Sequence, residues 1–219
     1  MKPLGHNEVR SILAWLWAPH SEQGSTIPED RTIPPPPRDL LECVTQRDPE
    51  ALGNLFDHYF DVLFGLAFRL LGNRQAAEDA TQDIFLKIHR GAPRLDPARD
   101  PAPWLVTIAV NTCRSVHRSG AQKMSTQAVT LDASTDFRSE LTDDGPDPAE
   151  SREKGDREAA VQAALMQLPE GLREIILLRD YQGLGHKEIA EVLGVGHDAV
   201  RKRYSRALQQ LAEALQNRL

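Results

Sequence analysis

Apolar residues recur every three or four positions along one stretch of the chain, and this spacing predicts an amphipathic helix. Asp48 and Pro49 can begin the helix, because a carboxylate caps the first amide groups and proline suits the first helical position. Gly72 can end it. The apolar positions at helical spacing are Leu52, Leu55, Phe56, Tyr59, Leu63, Leu66, Ala67 and Leu70.

Two further helices are predicted after this one, and four more near the end of the chain. Asn73 can cap a helix that runs to about Arg90, and another helix opens near Trp104 and reaches about Arg118. A last helical block begins near Arg157. Proline or glycine interrupts that block at three places and so divides it into four helices, with breaks at Pro169 and at residues 183–185 and 194–196.

These patterns predict an all-α fold of two small helical domains joined by a flexible acidic linker. Runs of strand-forming residues are almost absent. Residues 21–39 are polar and contain four successive prolines, so we expect an extended spacer there. The linker has no sustained hydrophobic period and carries five basic and ten acidic residues. The predicted parts are an N-terminal extension (1–40), a first domain (41–118), the linker (119–158) and a last domain (159–219).

The formal net charge of −6 argues against a nucleic-acid binder until it is divided along the chain. The linker holds nearly all of the acidic excess, and only the local field at a contact face matters for DNA binding. Cys43 and Cys113 are not accompanied by a CxxC motif or a histidine cluster, so we expect no disulfide framework, metal or cofactor. The apolar stretch 13–18 is too short to span a bilayer and lacks a signal-peptide pattern. We therefore expect a cytoplasmic protein.

Residues 186–204 have the spacing of a helix-turn-helix. Ile189 and Leu193 lie one turn apart on the first helix, and Ala190 is small enough to allow the second helix to approach closely. Gly194 permits a sharp turn, and Val200 anchors the second helix. A plain helical hairpin with a glycine turn would show the same spacing.

The outward face of the final helix favours DNA binding over a plain hairpin. It offers donors and an acceptor in the middle and cations at the flanks, as a major groove requires. Between Asp198 and Arg206 four cations accompany a single acid, whereas an ordinary solvated face usually mixes both signs. The predicted DNA-contacting residues are Asp198, Arg201, Lys202, Arg203, Ser205 and Arg206.

Two polar stripes on the N-terminal helices indicate different contacts. The third helix presents amide and guanidinium donors without an acid, which suits a nucleic acid, although a solvated face remains the alternative. That stripe comprises Thr107, Asn111, Arg114 and Arg118. The second helix presents acids beside an exposed leucine, which suits a basic protein partner but is also common on ordinary surfaces. Its outward residues are Asp79, Gln82, Asp83 and Leu86.

Together these features resemble the extracytoplasmic-function (ECF) sigma factors, which are promoter-reading subunits of RNA polymerase. Residues 77–90 (AEDATQDIFLKIHR) are similar to the family's polymerase-binding helix. Residues 103–118 (PWLVTIAVNTCRSVHR) are similar to its helix that reads the −10 promoter element. Residues 168–211 are similar to its C-terminal domain, which reads the −35 element. The resemblance covers roughly residues 41–118 and 159–215.

The resemblance implies roles for individual residues. The family's motif for the clamp of the large polymerase subunit falls on Asp79, Gln82, Asp83 and Phe85. The Trp and Asn of the −10 helix correspond to Trp104 and Asn111, and the preceding loop, residues 92–102, to the one that captures a flipped base. The basic positions of the −35 helix correspond to Arg201, Lys202, Arg203 and Arg206. The implied partners are core RNA polymerase, promoter DNA and an anti-sigma factor, with no small-molecule substrate.

Three features depart from the family pattern. Ser115 stands where an Asp is common, and Gly185 with His186 replaces a Ser/Thr–aromatic pair, which removes a helix cap. Residues 1–40 have no counterpart. Their apolar cluster leaves three readings open, namely binding of a regulator, folding back on the protein, or disorder; its members are Leu13, Trp15, Leu16 and Trp17.

A stand-alone helix-turn-helix regulator that binds DNA without polymerase is the main alternative function. The paired N-terminal module argues against it. An enzyme is a third class, but the histidines are scattered, and neither a nucleophile–base pair nor a glycine-rich phosphate loop occurs. We therefore expect no catalytic residues.

Overall fold

A computed structural model of the chain describes residues 5–16, 34–126, 148–216 and 218. These described residues form nine α-helices, a short 3-10 turn and a π-helical segment, and they contain no β-strand, which confirms the all-α prediction. The helices are α1 (His6–Leu16), α2 (Arg38–Thr45), α3 (Pro49–Leu71), α4 (Arg74–Gly91), α5 (Ala102–Thr126), α6 (Pro148–Gln167), α7 (Glu170–Ile176), α8 (His186–Leu193) and α9 (His197–Gln216); the 3-10 turn is Ala92–Arg94 and the π-helical segment is Leu177–Tyr181.

The helices belong to two compact units. The first unit contains residues 32–131 together with 187–195, and the second contains residues 1–31, 132–186 and 196–219. Helices α2 to α5 therefore lie in the first unit. Helices α1, α6, α7 and α9 lie in the second unit, together with the π-helical segment.

The first unit is organised around α3, which packs against α4 and α5. Both predicted caps are confirmed: a side-chain oxygen of Asp48 accepts the amide of Ala51 at 2.9 Å, and that of Asn73 accepts the amide of Ala76 at 2.9 Å. Gly72 ends α3 with a φ of 70°. The largest fully buried side chains of this core are Leu55, Leu63, Leu66, Ile84, Ile88 and Leu105.

The second unit has an apolar core built largely by α7 and the π-helical segment. Helix α9 packs against both α6 and α7. Four consecutive side chains at the junction of α7 and the π-helical segment are fully buried, namely Ile175, Ile176, Leu177 and Leu178. The predicted breaks at Pro169 and after the π-helical segment are confirmed, because α6 ends before the first and α8 begins after the second.

A buried arginine joins the two helices that flank Pro169. The guanidinium of Arg173 donates to the backbone carbonyl groups of Leu165 at 3.0 Å, Met166 at 3.3 Å and Leu168 at 3.1 Å. A helix C-terminus leaves its last carbonyl groups without partners inside the helix, so this side chain supplies the missing donors for α6. Burial lowers the pKa of Arg173 from its usual value, while the nearby Glu170 and Glu174 act in the opposite direction.

Several predicted boundaries were wrong. Helix α5 continues to Thr126 instead of ending near Arg118, and α6 begins at Pro148 instead of near Arg157. Helical structure therefore enters the predicted linker from both sides, and residues 127–147 lie outside the described part of the chain. Phe56, one of the apolar positions at helical spacing, is 39% exposed.

The N-terminal extension contains structure that the sequence did not predict. Arg38 and Asp39, which were included in the extended spacer, begin α2, whose Leu41 and Val44 are buried. Of the three readings of the apolar cluster, the structure supports folding back, because Leu13 is completely buried and α1 packs against α6, the π-helical segment and α9. The side chains of Trp15 and Leu16 and all of residues 17–33 lie outside the description.

We predict that Arg173→Ala destabilises the second unit by about 2–3 kcal/mol, because it leaves buried carbonyl groups without a donor. Native-state hydrogen exchange of amides in α6, α7 and α9 measures this change. Arg203→Ala is the matched control, since Arg203 is exposed on α9 and its removal is expected to change the free energy by less than about 0.5 kcal/mol. Equal exchange rates in the two variants would contradict the capping role of Arg173.

Candidate nucleic-acid interface

Helix α9 has a buried inner face and an exposed, cationic outer face. Gly194 precedes it with a φ of 65°, a backbone conformation that a residue with a Cβ rarely adopts, and this allows the sharp turn that the sequence predicted. The inner residues are buried, namely Val200, Ala207, Leu208 and Leu211. All of the predicted DNA-contacting residues are exposed, namely Asp198, Arg201, Lys202, Arg203, Ser205 and Arg206.

The cations of the outer face keep their charge available for an external partner. Within the described part of the chain, no carboxylate lies within ion-pair distance of Arg201, Lys202, Arg203 or Arg206. The Oδ1 atom of Asp198 lies 3.8 Å from the imidazole Nδ1 of His197. The outer face therefore carries a net positive charge at the positions where a phosphate backbone would approach.

Two contacts hold α9 in place on its inner side, one made by Tyr204 of α9 itself and one by His186 at the start of α8. The Tyr204 hydroxyl donates a hydrogen bond of 2.9 Å to Asp180 on the π-helical segment. The His186 ring lies 5.7 Å from the Tyr204 ring and 6.0 Å from that of His197, measured between centroids. Burial lowers the pKa of His186, and the positive charges of Arg179, His197 and Arg201 lower it further. His186 thus replaces the aromatic residue of the family pattern, and its imidazole ring lies beside those of Tyr204 and His197.

A positively charged pocket of about 390 Å³ opens between α4, the 3-10 turn and α5. It brings together three of the residues predicted to contact DNA, namely Trp104, Asn111 and Arg118. The complete lining consists of Lys87, Gly91, Arg94, Trp104, Ile108, Asn111, Thr112, Ser115 and Arg118. Every charged residue in this lining is a cation, and Ser115 stands where the family commonly has an acid, so this substitution leaves the pocket without a carboxylate.

Two members of the predicted α5 stripe lie outside this pocket. Thr107 is half-buried, and its hydroxyl donates to the backbone carbonyl of Pro103 at 2.7 Å, within the same helix. Arg114 is also half-buried and does not line the pocket. The sequence reasoning missed Lys87 and Arg94, because they come from α4 and the 3-10 turn and not from the α5 stripe. Lys87 donates a 2.9 Å hydrogen bond to the Thr112 hydroxyl on α5.

Gly91 gives the Trp104 ring its place in the pocket. A Cβ atom at residue 91 would lie 2.9 Å from Cζ2 of Trp104, closer than real side chains approach. The sequence predicted an end of α4 near Arg90 and gave Gly91 no role in the site. Because Gly91 has no side chain, the Trp104 ring on α5 can pack against the end of α4.

A neighbouring surface of the first unit is acidic and aromatic. Asp79, Gln82 and Asp83 are exposed as predicted, and Leu86 is 53% exposed. Beside them lies an aromatic ridge, which consists of Phe56, Phe60, Phe64 and Phe68 on α3 and Phe85 on α4. Phe85 is half-buried, and its ring centroid lies 4.3 Å from that of Phe56. The four-residue spacing of the α3 phenylalanines was the available signal for this ridge.

We predict that Gly91→Ala displaces the Trp104 ring, because a methyl group at residue 91 collides with it. The fluorescence of Trp104, recorded in a Trp15→Phe/Trp17→Phe background, should shift towards that of a more solvated indole. Gly53→Ala is the control, since no atom lies within 4 Å of a Cβ placed there. An unchanged Trp104 spectrum in Gly91→Ala would show that the ring does not depend on this glycine.

The chain is similar to known proteins in both of its helical parts. The family model for Sigma-70 region 2 matches residues 55–123, and that for Sigma-70 region 4 matches residues 158–211. The RNA polymerase sigma-H factor of Pseudomonas aeruginosa is 29% identical over 178 residues, which cover 81% of this chain and 92% of that protein. The ECF RNA polymerase sigma factor SigW of Bacillus subtilis is 26% identical over 184 residues, covering 81% and 95%.

Solved structures show the same pair of modules. CnrH, solved in complex with the cytosolic domain of CnrY, is 26% identical, with a TM-score of 0.58 and coverage of 82% of this chain and 97% of that one. The sigma factor RpoE of Bartonella quintana, solved with the anti-sigma factor NepR, has a TM-score of 0.61 at 21% identity and 75% and 96% coverage, and shows the shared fold.

The part of the chain that the structure describes contains no helix with the length and apolar character of a membrane span.

The chain matches the models for both sigma regions, with region 2 before region 4. A stand-alone helix-turn-helix regulator is therefore not favoured. The chain belongs to the ECF sigma factors of the sigma-70 family, the alternative sigma factors that direct transcription initiation.

Proposed function

We propose that this chain binds core RNA polymerase and directs it to promoters by contacting two DNA elements with different surfaces. The outer face of α9 contacts the −35 element, the pocket between α4 and α5 contacts the −10 element, and the acidic and aromatic surface of the first unit binds polymerase. The functional parts in this proposal are a region 2 domain (41–118), a linker (119–158) and a region 4 domain (159–219), preceded by an extension (1–40). The chain acts in the cytoplasm and has no catalytic activity of its own.

The observation that carries the proposal is the asymmetry of α9. Its cations are exposed and unneutralised within the described part of the chain, while its inner face is anchored in a core. Arginine and lysine side chains on such a helix can donate both to phosphate oxygens and to guanine in the major groove. Because binding of this kind releases counterions, its affinity falls steeply as the salt concentration rises.

The pocket between α4 and α5 suits a single unpaired base and its phosphate. Trp104 offers a flat ring for stacking, and the Asn111 amide can both donate to and accept from a base edge. Lys87, Arg94 and Arg118 surround these two residues with positive charge. A base can enter the pocket only after it leaves the duplex, so the pocket favours DNA that is already melting.

The acidic and aromatic surface suits a basic protein surface with an apolar centre. Phe56, Phe60 and Leu86 are exposed, and they would lose contact with water on binding. Asp79 and Asp83 lie beside them and would attract cations of the partner. We assign this surface to the clamp of the large polymerase subunit, in line with the family motif on α4.

Promoter-specific initiation tests the proposal. Core polymerase reconstituted with the full-length chain should select promoter sequences from a genomic fragment library and start transcripts at fixed positions on them. Core polymerase alone is the control. If the folded chain binds core enzyme but yields no specific start sites on any recovered fragment, the proposed function is wrong.

We predict that substitutions in the two proposed surfaces weaken the binding of different partners. Lys202→Ala should weaken binding of the holoenzyme to a −35 duplex by about tenfold, because it removes a contact worth about 1–3 kcal/mol. It should leave the affinity for core polymerase unchanged. Asp83→Ala should show the reverse pattern. Fluorescence anisotropy with labelled duplex and with labelled chain measures the two affinities.

Arg38→Ala and Asp39→Ala provide charge-matched controls on α2. Arg38 is an exposed residue that pairs with Glu42 one turn away, and Asp39 is also exposed. Neither control should change either affinity by more than about twofold, since exposed residues of this kind contribute little. If Lys202→Ala and Asp83→Ala behave like these controls, the assignment of both surfaces is wrong.

A further inference from the structure

We propose that α1 of the N-terminal extension is a positioning helix for α9 and acts through a chain of contacts that runs from Arg10 through Asp180 to Tyr204. The inference rests on the proposed role of α9 in contacting duplex DNA. It gives a function to a segment that has no counterpart in the minimal family pattern.

The docking of α1 in the second unit explains why this segment is helical. A helix of 11 residues is marginal in water by itself. Val9 and Leu13 lie four residues apart on one face, and both are completely buried. Helix α1 contacts α6, the π-helical segment and α9, which lie in the same unit. Burial of this apolar face therefore stabilises both the helix and its position against α9.

A single carboxylate oxygen links α1 to α9. Oδ1 of Asp180 lies 3.7 Å from Nε of Arg10 and accepts the 2.9 Å hydrogen bond from the Tyr204 hydroxyl. The Asp180 side chain is only 9% exposed, whereas that of Arg10 is 43% exposed. A carboxylate withdrawn from water in this way interacts more strongly with its neighbours than a surface carboxylate does. Arg10 therefore helps to hold the Asp180 side chain in place for Tyr204.

The position of Tyr204 makes this link relevant to DNA. Tyr204 lies between Arg203 and Ser205 in sequence, and both of these neighbours are exposed on the outer face of α9. Since successive residues of an α-helix are about 100° apart, a rotation of α9 that moved Tyr204 would also move its neighbours. The Asp180–Tyr204 hydrogen bond thus fixes the direction in which the cations point.

Helix α1 supports α9 without covering its proposed DNA surface. With α1 docked, the six predicted contact residues of α9 all remain exposed. An inhibitory cover would bury at least some of them. The geometry therefore favours a supporting role over autoinhibition.

A double-mutant cycle tests the chain of contacts in the full-length protein. The probe is a −35 duplex recovered by the wild-type holoenzyme, and the variants are Arg10→Ala, Tyr204→Phe and the combination. Each single change should weaken duplex binding by about threefold, and the combination by about threefold as well, instead of the roughly ninefold expected for independent effects. Arg10→Lys, which keeps the positive charge, should restore most of the affinity. Ser11→Asp, at an exposed position on α1, is the control and should bind as the wild type does.

Three outcomes would overturn the proposal: single variants that bind as the wild type does, single effects that multiply independently, or tighter binding by Arg10→Ala, which would make α1 an inhibitory cover. Hydrogen exchange of the α9 amides tests the positioning without DNA. Exchange near Tyr204 should be faster in Arg10→Ala and in Tyr204→Phe than in Ser11→Asp, and equal rates would contradict the proposal. If the wild-type holoenzyme retains no duplex at all, the proposed function fails, while the exchange measurement still decides whether α1 positions α9.

Discussion

The cations on the outer face of α9 repel one another, and burial of the inner face stabilises the helix that carries them. The repulsion between two exposed charges about 4 Å apart is about 1 kcal/mol in water and decreases with salt. Burial of one large aliphatic side chain contributes about 1.5–3 kcal/mol. The inner face provides several such residues, namely Val200, Leu208 and Leu211, with Ala207 between them. The apolar contribution therefore exceeds the electrostatic cost, and a helix can carry this cluster while the whole chain remains acidic.

Helix α4 contributes to two surfaces of opposite charge, because its outward acidic residues come earlier in the helix than the lysine that lines the pocket. Asp79 and Asp83 lie in its first two-thirds and face outwards, whereas Lys87 lies near its end and reaches the pocket. Four residues, a rise of about 6 Å along the axis, separate Asp83 from Lys87. The order also agrees with the helix dipole, which favours cations near the C-terminus. One helix thus contributes acidic side chains to one surface and a cation to the pocket beside it.

The features that depend on a local rule were predicted from the sequence. The caps at Asp48 and Asn73 and the turn at Gly194 depend on residues within one helical turn, and the exposed face of α9 follows from helical periodicity. The pocket was predicted only in part, since Lys87 and Arg94 enter it from other elements, and a stripe drawn on a single helix cannot include them.

Other features depend on contacts that are distant in sequence. Phe56 has the spacing of a core residue, but it belongs to the aromatic ridge because Phe85 on α4 packs beside it. Helix α1 is too short to be predicted from its own propensity, and it is defined by a surface more than a hundred residues away. Arg173 gave no signal either, because a buried guanidinium is recognised only from the carbonyl groups around it.

The cap that Arg173 places on α6 also affects the length of the chain that leads to this helix. Among the α6 residues whose side chains the structure describes, Val161, Ala164 and Leu165 are buried near the end of the helix, and the cap holds that same end. Unwinding that starts at Pro148 would therefore reach the capped end last. Each residue released changes from a rise of about 1.5 Å to a reach of about 3.3 Å. Chain released from the start of α6 in this way would lengthen the segment that precedes the capped end, without removing Arg173 from its carbonyl partners.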